Sequence, residues 1–203
     1  MKLFYSPGAC SLAPHIVLRE SGAAFTLEKV DIPKHLTATG VDYYSITPKG
    51  QVPLLQLDDG STLSEGPIIT QYIADQAAAT GLLPAAGSMA RYRVMEWQNF
   101  ITSELHKGFS PLFNPAFDAA AKGIQAGLLR KKFEWVDSKL DGTHYLTGDD
   151  FTVADAYLFT VSGWAKMVAL DLSNLAHLQA FLTRVAARPA VQAALKAEGL
   201  IPA

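Results

Sequence analysis

The stretch "MKLFYSPGACSLAPHIVLRESGAAFTLEKV", residues 1–30, decides the fold. Lys2 to Tyr5 is a short apolar run closed by Ser6-Pro7-Gly8, and it reads as a buried strand. Residues 11–21 then carry Leu12, Ile16 and Leu18 at helical spacing and stop at Ser21-Gly22. Pro14 falls in the first turn, where its missing N–H costs no helical hydrogen bond. Phe25 to Val30 alternates and ends apolar, as a second strand would. A strand, a helix and a strand in that order favour a parallel pair joined by a crossover.

Working outward, "DIPKHLTATGVDYYSITPKGQ" (31–51) is polar and broken, with a helical turn near Asp42–Ile46. In "VPLLQLDDGSTLSEG" (52–66) two apolar runs flank Asp58-Asp59-Gly60, a hairpin signal. Residues 67–77 read as an amphipathic helix opened by Pro67. The order βαβ then ββα is that of a thioredoxin-like domain, expected over 1–78. Residues 79–87 are small and marked by Gly and Pro, which suits a linker. From 88 to 203 the chain reads as helices over 88–107, 121–140, 154–169, 176–186 and near 190–197, an all-α helical-bundle domain. Thr152 and Asp155 form a capping box for the third of these.

Composition narrows the function classes. The chain has 203 residues, 49% hydrophobic and 18% charged, with a net charge of −2. That composition folds, and the charge gives no electrostatic case for nucleic acid or an anionic membrane. No apolar run approaches the roughly 20 residues needed to span a bilayer. The N-terminal apolar run is too short for a signal peptide. The single cysteine, Cys10, excludes an internal disulfide, so a reducing, cytoplasmic setting is expected. No His/Cys/Asp cluster has metal-ligand spacing and no Gly-rich phosphate loop is present, so no metal is expected.

Cys10 sits where a helix begins, and a helix N-terminus favours a thiolate. A lone cysteine is also commonly a small buried hydrophobe. Spacing alone leaves both readings open. The absence of a C-x-x-C pair excludes dithiol exchange but allows monothiol chemistry. Glu65 and Gly66 open the third predicted helix, whose free N–H groups suit a carboxylate. Glu65 can also accept from an ammonium. Asn99, Ser103 and His106 are spaced i, i+4, i+7 and are expected to share one helix face. Lys107 follows as a further positive charge.

Four segments, "MKLFYSPGACSLAPHIVLRESG", "TPKGQVPLLQLDDGSTLSEG", "RYRVMEWQNFITSELHKGFSPLF" and "FTVADAYLFTVSGWA", closely resemble the bacterial beta-class glutathione S-transferases. The likeness runs along essentially the whole chain. It implies a glutathione transferase that passes the sulfur of glutathione, as co-substrate, to a small hydrophobic electrophile, by conjugation or halide displacement. It implies that Cys10 faces the glutathione sulfur and can form a mixed disulfide with it. It implies that Val52, before a cis Pro53 and after Gln51, pairs through its backbone with the cysteinyl part. Glu65 and Gly66 would take the γ-glutamyl end. His106, with Asn99, Ser103 and Lys107, would lie at the glutathione site and favour the thiolate. Tyr5, although such a tyrosine is catalytic in other classes, is expected only to pack. The family often has a lysine for the glycine carboxylate where this chain has His35, with Lys34 beside it. The electrophile would be bound by residues of "FSPLFNPAF" and around Trp164. A homodimer is expected. Two other readings stay open: a thiol transferase or peroxidase working through a Cys10–glutathione disulfide, and a non-catalytic ligand carrier.

Overall fold

The computed structural model describes residues 1–77 and 80–202. The expected boundary between first domain and linker, at residues 78 and 79, lies outside the described residues. By packing, the chain divides into two units, Met1–Leu83 with Arg188–Ala203, and Pro84–Ala187.

In the first unit, β1 (Lys2–Tyr5), α1 (Leu12–Ser21) and β2 (Thr26–Asp31) form the expected strand–helix–strand. β3 (Leu36–Thr37) and α2 (Tyr43–Ile46) follow, then β4 (Leu54–Gln56), β5 (Thr62–Ser64) and α3 (Gly66–Gln76). The sheet runs β3-β2-β1-β4-β5. β1 and β2 are parallel, and β4 is antiparallel to both β1 and β5. This is the thioredoxin-like arrangement predicted from the element order. The two-residue β3 had no signal of its own in a polar, broken segment.

Alternation along β1 sends successive side chains to opposite faces. Phe4 joins Val30, Tyr43 and Leu54 in a buried cluster on the α2 side. Tyr5 points the other way, with its ring 6.1 Å from that of His15 on α1. α1 in turn packs on α3 and on α9 (Pro189–Ala197). The sequence reading carried the helical domain to residue 203. The packing instead returns the last residues to the first unit, and Arg188 pins them there with two hydrogen bonds to Glu20, at 2.6 and 2.9 Å.

The second unit contains α4 (Met89–Phe100), α5 (Lys107–Phe113), α6 (Ala119–Lys139), α7 (Val153–Gly163) and α8 (Ala176–Ala186). Two regular helices of the sequence reading are interrupted. The span 88–107 changes to a π-helical turn over Ile101–His106 before α5 begins. The span 154–169 tightens to a 3₁₀ turn at Trp164–Val168 and ends at Ala169 in the left-handed region. Gly108 lets α5 approach α6, because a Cβ there would sit 2.9 Å from Leu129 Cδ1. Among the described residues no helix is long and apolar enough to cross a membrane.

Candidate active site

Cys10 lies in the turn between β1 and α1, half-buried. Ser11, the N-cap position of α1, closes this turn. Its hydroxyl accepts from Ser6 N–H at 3.1 Å and donates to the Ser6 carbonyl at 3.2 Å. The Cys10 thiol donates to the Val52 carbonyl at 3.2 Å. The Val52–Pro53 bond is cis. Gly66 lies beside the same proline, its Cβ direction 3.7 Å from Pro53 Cγ. Fold alone therefore brings together Cys10, Val52, Pro53 and Gly66, four of the residues singled out in the sequence. The Gln51 carbonyl accepts from the Tyr43 hydroxyl at 2.9 Å. Tyr43 is fully buried, and burial holds its hydroxyl far above the ordinary tyrosine value, so it stays a neutral donor. Tyr43 thereby anchors the backbone just before the cis proline.

Glu65 adopts φ 71 and ψ 111, a left-handed φ that is uncommon outside glycine. Its carboxylate is exposed and accepts from Lys49 Nζ at 2.7 Å. Lys34 is also exposed, with Asp31 Oδ2 3.2 Å from its ammonium. His35 turns inward instead. Its ring stacks on Tyr44 at 4.2 Å, its Nε2 meets the Tyr44 hydroxyl at 3.0 Å, and its Nδ1 is buried without a hydrogen-bond partner. Gly50 permits this packing, since a Cβ there would come within 2.5 Å of the Tyr44 ring.

The turn carrying Cys10 has a support that sequence reasoning missed. The Glu198 carboxylate accepts from Gly8 N–H at 2.9 Å with one oxygen and pairs with His15 Nδ1 at 2.8 Å with the other. Arg19 Nε donates to His15 Nε2 at 2.9 Å, so the imidazole proton is on Nδ1 and is donated to Glu198. The side chains of His15 and Glu198 are fully buried. Tyr5 packs against this pair. Burial, reinforced by the carboxylates of Glu198 and Glu28, holds its hydroxyl above the ordinary value. That fits a packing role.

In the second unit His106 ends the π-helical turn. Its Nδ1 lies 2.6 Å from the Tyr157 hydroxyl. Trp164 meets the imidazole edge-on at 4.8 Å. Phe109 and Phe113 lie 5.7 and 6.2 Å from Trp164. Asn99, Ser103 and Lys107 are exposed, and the Ser103 hydroxyl donates to the Asn99 carbonyl at 3.1 Å. The sequence reading placed Asn99, Ser103 and His106 on one polar stripe at α-helical spacing. A π-helical turn is wider than an α turn, so between Ser103 and His106 the α-helical spacing no longer holds. His106 meets Tyr157 of α7, and Asn99 and Ser103 are exposed. Among the described residues no group of His, Cys, Asp and Glu could hold a metal ion.

Family comparisons agree with this geometry. The pattern of the glutathione S-transferase N-terminal domain matches residues 8–76, and that of the C-terminal domain matches residues 100–189. Glutathione S-transferase GstA of Escherichia coli O157:H7 is 52% identical over 98% of this chain and all of its own. The chain belongs to the glutathione S-transferase family. A beta-class glutathione S-transferase from Sphingomonas chungbukensis is 47% identical, covers 99% of this chain and 100% of its own, and superposes with a TM-score of 0.95. A sphingomonad glutathione S-transferase solved with glutathione is 49% identical, with the same coverage and TM-score. Family membership makes the chain a glutathione transferase, and the beta-class likeness seen in the sequence is borne out.

Proposed function

We propose that the chain binds glutathione in its first unit, favours the thiolate, and transfers it to small hydrophobic electrophiles. The observation that carries this is the Cys10 turn lying against the Val52–Pro53 segment, with the helix opened by Gly66 alongside. In this reading Val52 offers its backbone to the cysteinyl part of glutathione. Glu65 takes the ammonium of the γ-glutamyl end, drawing on the carboxylate that Lys49 now holds, and the N–H groups at the start of α3 take its carboxylate. Lys34 reaches the glycine carboxylate, because it is exposed on a flexible stem while His35 is committed to Tyr44. His106 donates to the sulfur, with Asn99, Ser103 and Lys107 as neighbouring polar groups.

With a chlorinated aromatic, the thiolate attacks the ring carbon, the C–S bond forms, and chloride leaves with the electrons of the C–Cl bond. Holding both partners and lowering the cost of the thiolate are the two sources of rate. The rings around Trp164 provide the apolar surface for the electrophile. A homodimeric, cytoplasmic enzyme of detoxification is part of this reading, and it rests on the family likeness.

The half-buried Cys10 also favours a second reading. With glutathione disulfide, its thiolate would attack one sulfur, form a mixed disulfide, and release glutathione thiolate. Intact-protein mass after incubation with glutathione disulfide, alongside turnover of the chlorinated aromatic, separates the two. Conjugation with His106 as thiolate partner predicts that Cys10→Ala keeps most of its turnover. Turnover lost in Cys10→Ala, with a glutathione adduct on the wild type only, would move the chemistry to Cys10.

A further inference from the structure

We propose that Tyr157 is a positioning residue that sets the tautomer of His106, so that the ring presents an N–H at Nε2 to the glutathione sulfur. The proposal rests on the reading of His106 given above.

The contact between the Tyr157 hydroxyl and His106 Nδ1 is 2.6 Å. A phenol O–H is a stronger donor than a neutral imidazole N–H, and an imidazole nitrogen is a stronger acceptor than a phenol oxygen. In this proposal the hydroxyl is therefore the donor and Nδ1 the acceptor. A neutral imidazole that accepts at Nδ1 carries its proton on Nε2. The opposite tautomer would present a lone pair at Nε2, which repels a thiolate. The tyrosine thus makes His106 a hydrogen-bond donor to the anion and not the base that removes the proton. The thiol proton goes to solvent.

The surroundings hold this arrangement. Tyr157 is 3% exposed. It lies in the second turn of α7, just after Asp155, whose carboxylate accepts from Leu146 N–H, Thr152 N–H and the Thr152 hydroxyl at 2.8–2.9 Å. The π-helical turn packs on α7 and delivers His106 to it. The Tyr157 and Trp164 rings meet the imidazole at 79° and 73°, fixing its plane from two sides. Residue 157 has no mark in the sequence beyond an aromatic on an apolar helix, and the contact joins positions 51 residues apart.

Three variants test it: Tyr157→Phe, His106→Ala, and the pair together. Long-range proton–nitrogen NMR of the free wild-type enzyme should show His106 protonated at Nε2, and Tyr157→Phe should show a mixture. In turnover of glutathione with a chlorinated aromatic, Tyr157→Phe should lose about tenfold in kcat, as for one hydrogen bond, with KM for the electrophile little changed. In the His106→Ala background the same change should cost less than about twofold, since the two act as one unit. A wild-type spectrum with the proton on Nδ1 would overturn the proposal, and so would equal losses in both backgrounds. If His106→Ala loses activity while Tyr157→Phe keeps it, this proposal falls alone. If His106→Ala turns over like the wild type, the role given to His106 falls and takes this one with it.

Discussion

Glu198 is the residue on which the Cys10 turn depends. Both of its oxygens are used inside the first unit, one by the Gly8 N–H and one by His15. Truncation would take the acceptor from the buried His15 Nδ1–H and one acceptor from the Gly8 N–H, and Arg19 would face an imidazole with nothing to orient it. Leaving a buried donor without its acceptor costs about 1–3 kcal/mol. Glu198→Ala should therefore lose about that much in urea unfolding, and a loss below about 1 kcal/mol would show that the pair holds nothing. None of this was legible in the sequence. Glu198 ends a short helix, His15 sits in the apolar run of α1, and no periodicity links positions 183 residues apart. Lys49 escaped notice for the same reason, since its partner Glu65 lies across the hairpin. Cys10 and Glu65 could be found, because each sits at a helix start that the sequence itself marks.

At the scale of elements, α7 carries a titration as well as a cap. Burial pushes the Asp155 carboxyl up to about 6, against three hydrogen bonds that favour its charged form. The folded group thus holds its proton more tightly than the unfolded one, whose value is about 4. Its contribution to stability is present in full below about pH 4 and is lost as pH rises through about 6. Relative to Asp155→Asn, the wild type should gain about 2 kcal/mol on going from about pH 7 to about pH 4.5, measured by urea unfolding at each pH. A constant difference would mean that the hydrogen bonds hold the carboxylate ionised throughout. The capping box was plain in "FTVADAY", and the hairpin was plain in the apolar runs around Asp58-Asp59-Gly60. The π-helical turn was not. Its residues, ITSELH, keep ordinary helix formers, and no local pattern marks a widened turn there.

For the whole molecule, the proposed function draws on a thioredoxin-like unit completed by the chain's last helix and on a helical unit that carries His106 beside Tyr157 and Trp164. The order of the other strands and helices was readable from Pro, Gly and Asp-Gly punctuation, while β3, flanked by His35 and Ala38, had none. The return of residues 188–203 to the first unit was not readable, because α9 is amphipathic and would suit either neighbour. The most direct measurement compares kcat/KM for a chlorinated aromatic with glutathione and with 2-mercaptoethanol, a thiol lacking both the γ-glutamyl and glycyl ends. A site built around the cis-proline segment and Glu65 should saturate with glutathione and prefer it by at least about 100-fold, the discrimination expected when paired polar groups are left empty. Equal, non-saturating rates with both thiols would contradict a glutathione transferase in this chain.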